Sequence, residues 1–339
     1  KVRPSSTAPV LLARKLAGLR SAPFRLAVDG LERIAQQLGG TGYDLVFCFR
    51  MRSFRVWELL QQCAPVKAER LYVDFDDIES VATWREIPHL RRSIGRVKTI
   101  LSRLEALELW LLERRILSEA DAVSVCSSID RTKLQKRSRK AKINVVPNSY
   151  SLMEKLPLRR EGQRPAEILF LGTMAYPPNV DAILYFYRLV LPLILKQFPH
   201  DIRLNVVGLR PVPSVKALSK NPIVNVTGGV ESVVPYYERA DIVIAPIRFG
   251  GGTRIKILEA LSYGRPVVST TIGAEGLDLT PGRDLLIADQ PQEFADSCVA
   301  LLQNEEQRRH LVENGWKRVA ELYDRPKVQT QLLESLFPD

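Results

Sequence analysis

Cysteine is scarce and unpatterned. The four in the chain are Cys48, Cys63, Cys126 and Cys298, and none has the CxxC or finger spacing that zinc and redox sites use. They read as buried or free thiols of a reducing compartment. Histidine is scarcer, three in 339 residues, and none falls in a recognisable catalytic triad. No apolar run approaches the about 20 residues of a membrane span and no signal peptide is evident. A soluble or peripheral cytoplasmic protein is therefore expected. The chain opens on Lys1 and its first residues show no strand, so a first domain incomplete at its amino end is expected.

What is present is lopsided charge. The net charge is +11; residues 1–148 hold 27 Lys/Arg against 16 Asp/Glu, whereas residues 149–339 hold 22 of each. All the excess lies in the first half, where it suits anionic lipid or a phosphorylated acceptor. These cations are dispersed and no recognition motif accompanies them, so nucleic acid is not an expected partner. Length and an apolar content of 45% suit two domains, each with its own core.

Strand and helix patterns alternate in both halves. Tyr43–Phe49, Arg70–Asp74, Ala122–Cys126 and Ile143–Val146 read as strands, with helices over Ser53–Gln62 and from Ser128. Between Arg91 and Glu119 a helix is expected with Ile94, Val97, Ile100, Leu101, Leu104, Leu107, Leu111 and Leu112 on one side. Arg91, Arg92, Arg96, Lys98 and Arg103 lie on the other. Such a helix either packs on its domain or rests on a membrane surface. Pro147–Asn148 closes the first domain (1–148), and the charged stretch 149–165 reads as a linker. From Glu167 the segments EILFLG, IRLNVVG, IVNVTG, DIVIAPI and PVVST alternate with helices. That order implies a parallel sheet with its ligand at the strands' carboxyl ends. This second domain spans 166–304, and helices over 305–339 are expected at the domain junction.

Pro246–Leu277, PIRFGGGTRIKILEALSYGRPVVSTTIGAEGL, carries the most chemistry. A strand runs into Gly250, Gly251 and Gly252, and a helix is expected from near Thr253 with Leu258, Ala260 and Leu261 buried. Three glycines allow close backbone approach, and a helix start offers unpaired N–H groups to phosphate. Arg254 and Lys256 place two cations where they oppose the helix dipole, which points to an anionic ligand that offsets them. Glu259 sits about one turn deeper, where a carboxylate accepts hydrogen bonds from sugar hydroxyls. Taken alone, the loop is equally readable as the glycine-rich cap of an ordinary Rossmann helix.

The order FLGTMAYPPNVDAILYF (Phe170–Phe186), VVG (Val206–Gly208) and Val226–Leu277 resembles the donor domain of glycosyltransferase family 4, retaining enzymes of the GT-B fold. The likeness is greatest to members that build bacterial exopolysaccharide and other surface glycans. It is strong over 165–300 and weak in the first domain. The resemblance implies an α/β fold of two Rossmann-like parallel-sheet domains facing a cleft. It also implies a nucleotide-diphosphate sugar donor, UDP- or GDP-linked, with no cofactor and no metal. Glu259 matches the second glutamate of the family's paired motif and is implied to bind the donor ribose, while the first glutamate's position falls on Gly251. Backbone groups at Gly250–Gly252 are the expected substitute. The family's Arg and Lys after the domain's first strand are replaced by TMAYPPN after Gly172, so Arg254 and Lys256 are expected to neutralise the diphosphate. Gly228 and Val230 match the backbone position that meets the nucleobase.

In the first domain, VDFDDIES (Val73–Ser80) follows a strand and is expected to reach the cleft. Asp74, Asp76, Asp77 and Glu79 are acceptor-side candidates, with Asp77 the catalytic one; helix-start acidity and a metal site are the other readings of the same string. The expected activity is retaining hexosyl transfer to a glycan or lipid-linked acceptor, the leaving phosphate assisting the incoming hydroxyl. The alternatives are a catalytically degenerate nucleotide-sugar-binding scaffold and a sugar-nucleotide epimerase. Location at the inner face of the plasma membrane is expected, through the basic first domain.

Overall fold

The computed structural model describes residues 42–63, 66–152, 165–198 and 201–337, with Ile34, Gln37 and Leu38. Residues 1–33 and most of the linker, 153–164, lie outside the described residues, as do the side chains of Cys63, Arg91, Arg92 and Ile94.

The first domain is built on β1 (Gly42–Phe49), β2 (Lys67–Asp74), β3 (Ala122–Val125) and β4 (Ile143–Val145), parallel and adjacent in that order. Its helices are α1 (Arg50–Cys63), α2 (Glu79–Glu119) and α3 (Ser128–Gln135). β3 is buried along its whole length, as a central parallel strand covered on both faces must be.

The second domain holds β5 (Ala166–Leu171), β6 (Ile202–Val207), β7 (Val224–Gly228), β8 (Ile242–Ala245), β9 (Val267–Ser269) and β10 (Leu286–Ile287). All are parallel, in the order β10-β9-β8-β5-β6-β7. Strand order reverses beside β5, and a crevice opens there at the strands' carboxyl ends, the standard ligand position of such sheets. Around it lie α4 (Pro177–Gln197), α5 (Pro213–Lys216), α6 (Val234–Arg239), α7 (Ile255–Ser262) and α8 (Pro291–Gln303).

Two expectations about helices need correction. Among the described residues α4 is long and apolar enough to cross a membrane, although no such run was expected. Ala182, Ile183, Phe186, Val190, Leu191 and Ile194 are each at most 1% exposed, so α4 is a core helix of the second domain. The helix expected over Arg91–Glu119 begins at Glu79 and breaks at Gly95, whose φ of 72° and ψ of 171° are not helical. Gly adopts this geometry readily because it has no Cβ.

The face α2 presents also differs from the expected packing side. Ala106, Leu112, Glu113, Ile116 and Leu117 are buried, while Val97, Ile100, Leu104, Leu107 and Leu111 are 48 to 71% exposed. Glu113 explains the register. Its carboxylate is fully buried, accepts from Ser80 N at 2.9 Å and Ser80 Oγ at 2.6 Å, and pairs with Arg137. That network ties the two arms of α2 together and holds the Phe75–Ile78 loop that precedes them.

Cys48, Cys126 and Cys298 are buried free thiols. The chain finishes with α9 (Glu305–Leu322) and α10 (Arg325–Leu336). α10 crosses back to the first domain, where Ser335 Oγ meets Tyr72 OH at 2.9 Å and Arg70 lies over the Phe337 ring.

Candidate functional site

The carboxyl ends of β2, β5 and β8 converge on the cleft between the domains. Gly172 (φ 154°) follows β5 directly; a Cβ there would lie 2.5 Å from Asn179 Nδ2 and 3.1 Å from Lys256 Nζ. The missing side chain therefore makes room for a polar pair. Lys256 donates to Asn179 Oδ1 at 2.7 Å and stands 4.7 Å from the Phe170 ring centroid. Burial, reinforced by the neighbouring Arg254 charge and opposed by Glu259, pushes the Lys256 pKa down to about 7.

α7 starts at Ile255, two residues later than expected, with Arg254 at its cap and no side-chain cap hydrogen bond. Leu258, Ala260 and Leu261 are buried as expected. The Arg254 guanidinium donates to the Gly251 carbonyl and lies against Gly250, where a Cβ would meet its Nη2 at 2.9 Å. Its Nε is buried without a partner, and burial lowers its pKa despite Tyr176 and Asp77 nearby. A buried, incompletely satisfied cation beside a depressed-pKa lysine favours an anion with several acceptor oxygens.

Glu259, on α7, accepts from Tyr150 OH at 3.0 Å. Two residues before Tyr150, Asn148 donates to Thr253 Oγ1 at 2.6 Å and to Asp76 Oδ1 at 3.3 Å. Residues 148–150 thus hold the glycine loop, the cleft and α7 in one arrangement. Gly228 (φ 72°) ends β7 and its carbonyl accepts from Gly208 N at 3.0 Å, while Val230 packs against the cluster under α7.

The four acidic candidates of the first domain separate. Asp74 accepts from Ser124 Oγ at 2.9 Å, and burial raises its pKa. Asp76 pairs with Arg50 at 2.5 Å, and both have positive φ, 54° and 66°. Glu79 lies in the first turn of α2 and its pKa is raised by burial. Asp77 alone reaches the glycine loop, packing on Gly251 and Gly252, and burial lifts its pKa to about 6 against the pull of Arg254. Among the described residues no group of three His, Cys, Asp or Glu is placed to hold a metal.

Sequence reasoning missed Asn179, Tyr150, Tyr176 and a cross-cleft bridge. Arg85 on α2 grips Glu275 with both nitrogens, one bond being 2.9 Å, and Lys133 lies 3.8 Å from the same carboxylate. The bridge holds the Glu275 carboxyl below the usual range. Together these groups close a cavity of about 10 Å³ between the domains, roughly the space one water centre needs.

Residues 165–304 match the family model Glycosyl transferases group 1. The second domain is a group 1 glycosyltransferase domain. Gly172, Gly228, Val230, Gly250–Arg254, Lys256 and Glu259 all lie within the matched residues. Over 197 residues the chain is 26% identical to an uncharacterized 44.6 kDa protein in the cps region of Klebsiella pneumoniae, covering 56% of this chain and half of that relative's length. Sucrose-phosphate synthase from Thermosynechococcus elongatus superposes with a TM-score of 0.66 at 18% identity, over 86% of this chain and 73% of that one. Anabaena HepE in complex with UDP and glucose gives 0.64 at 15%, over 91% and 81%. At such identities the likeness is one of fold, and it extends beyond the group 1 domain to both halves. The chain has the two-domain GT-B architecture.

Proposed function

We propose that this chain transfers a hexose from a UDP- or GDP-hexose to a hydroxyl of a glycan or lipid-linked acceptor, with retention at the anomeric carbon. The observation that carries this reading is the pairing of Lys256 and Arg254 over Gly172 and Gly250, at the carboxyl ends of the two strands beside which strand order reverses. A diphosphate is the anion whose charge and acceptor oxygens match that pair. Charge developing on the departing diphosphate is met by two side-chain cations and the start of α7, without requiring a metal. Glu259 lies one turn deeper, where a ribose hydroxyl can donate to it. Retention follows if the departing phosphate oxygen takes the acceptor proton on the face it leaves, so that no protein nucleophile is needed. A polysaccharide role draws support from the cps-region setting of the Klebsiella relative, and a UDP-linked donor from the UDP and glucose of the HepE complex.

The basic first domain is proposed to meet an anionic bilayer at the inner face of the plasma membrane. Val97, Ile100, Leu104, Leu107 and Leu111 form an exposed apolar stripe on α2, with Arg96, Lys98 and Arg103 on the same helix. Charge complementarity supports lipid as the partner.

Incubation with a panel of UDP- and GDP-hexoses and lipid-linked acceptors tests the proposal. Transfer with retained anomeric configuration, read by NMR, is expected. Saturable nucleotide binding with no hydrolysis or transfer across the panel would instead indicate the degenerate scaffold, the reading that Gly251 at the motif's first position favours.

A further inference from the structure

Gly251 faces the first domain. A Cβ built on it would lie 2.7 Å from Asp77 Oδ2, closer still to Oδ1, and 2.9 Å from Ala82 Cβ. The Asp77 carboxylate thus occupies the volume a side chain at position 251 would claim. It arrives from the opposite domain, on the Phe75–Ile78 loop that Ser80 and Glu113 brace.

The other carboxylates lining this cavity are already committed. Asp130 accepts from Ser127 Oγ at 2.8 Å and Lys133 Nζ at 3.0 Å, and Glu275 is gripped by Arg85. Asp77 feels the Arg254 charge, but among the described residues its carboxylate accepts no hydrogen bond. This half-buried carboxylate, uncommitted to any protein donor, is free to accept from neutral donors brought by a ligand. It packs against the glycine loop whose far end carries Arg254, so a ligand whose diphosphate meets Arg254 brings its next group, the hexose, toward Asp77. Sugar hydroxyls are the matching donors.

We propose that Asp77 is the specificity-determining carboxylate for the transferred hexose, supplied by the first domain across Gly251; this rests on the nucleotide-sugar reading above. The cavity of about 10 Å³ is too small for a hexose. The domains therefore part to admit the donor, and Asp77 engages the sugar as they close. A side chain at position 251 would displace the Asp77 carboxylate from its present place. The assignment also moves sugar recognition away from the backbone of Gly250–Gly252.

Calorimetry on the full chain tests this, comparing UDP and GDP with a panel of their hexose derivatives in wild type, Asp77→Ala, Asp77→Asn and Gly251→Ala. Thermal melting verifies that each variant is folded. The expected wild-type result is one hexose that tightens binding over the bare nucleotide. Asp77→Ala cuts that ratio by about tenfold or more, the usual worth of a hydrogen bond to a charged group, while bare-nucleotide affinity stays within about threefold. Gly251→Ala, which displaces Asp77 without removing it, gives the same loss. A ratio unchanged in both Asp77 variants, or no hexose preference in wild type, overturns the inference alone. Failure of wild type to bind either nucleotide overturns the nucleotide-sugar reading and the inference with it.

Discussion

Lys256 reaches from the first turn of α7 to the side-chain carbonyl of Asn179 at 2.7 Å, and the two stand where a side chain on Gly172 would be. Among the described residues no carboxylate pairs with this ammonium; its hydrogen-bond partner is a neutral amide. On the nucleotide-sugar reading proposed above, that relationship suits an anionic ligand and sets a pH window for its binding.

With a Lys256 pKa of about 7, the free protein is protonated there below pH 7 and neutral above it. A bound diphosphate favours the ammonium, so binding takes up a proton above pH 7. UDP or GDP affinity is expected to be full below pH 7 and to fall above it, approaching tenfold per unit. Lys256→Ala removes this dependence and costs about tenfold or more in affinity at pH 6.5. Calorimetry in buffers of different ionisation heat reads both the affinity and the proton uptake.

Glu259 and Tyr150 form a second linked pair at 3.0 Å. Glu259→Gln is expected to weaken UDP binding about tenfold by removing a charged acceptor for ribose. Tyr150→Phe, which frees the carboxylate but leaves its charge, is expected to change affinity less than threefold. A ribose-free control, inorganic diphosphate, binds both variants like wild type.

Stability of the first domain depends on a different carboxylate. Glu113→Ala leaves Arg137, only 14% exposed, without its partner, and also strips two hydrogen bonds from Ser80. Loss of one member of a buried ion pair costs about 3–5 kcal/mol. Urea unfolding is expected to show that loss in the transition that melts the first domain.

The exposed stripe on α2 predicts salt-sensitive sedimentation with vesicles containing anionic lipid. Replacing Leu104 and Leu107 by Glu removes apolar contact and adds repulsion, so co-sedimentation is expected to drop at least fivefold at low salt. Equal recovery with neutral vesicles would assign the basic charge to a soluble acceptor.

The second domain was readable because fully buried parallel strands leave continuous apolar runs, such as EILFLG and DIVIAPI, between amphipathic helices. The glycine loop, the two cations and Glu259 were legible for the same reason: each is local to one strand–loop–helix unit. What joins distant segments was not. Asn179 meets Lys256 across 77 residues, Tyr150 meets Glu259 across 109, and Arg85 meets Glu275 across 190. On α2 the apolar periodicity was visible, but the choice of buried face fell to Glu113, a charged residue whose burial only Ser80 and Arg137 explain. Among Asp74, Asp76, Asp77 and Glu79, composition offered no basis for separating the residue that crosses the cleft from three that brace their own domain.

α7 and the loop before it are proposed to bind a nucleotide diphosphate. Titration of UDP and of GDP into the full chain at pH 6.5, beside Lys256→Ala and Glu259→Ala, tests it most directly. Saturable one-to-one binding of at least one nucleotide by wild type, weakened in both variants, is the predicted result. No binding of either nucleotide, or an affinity that both substitutions leave unchanged, would contradict it.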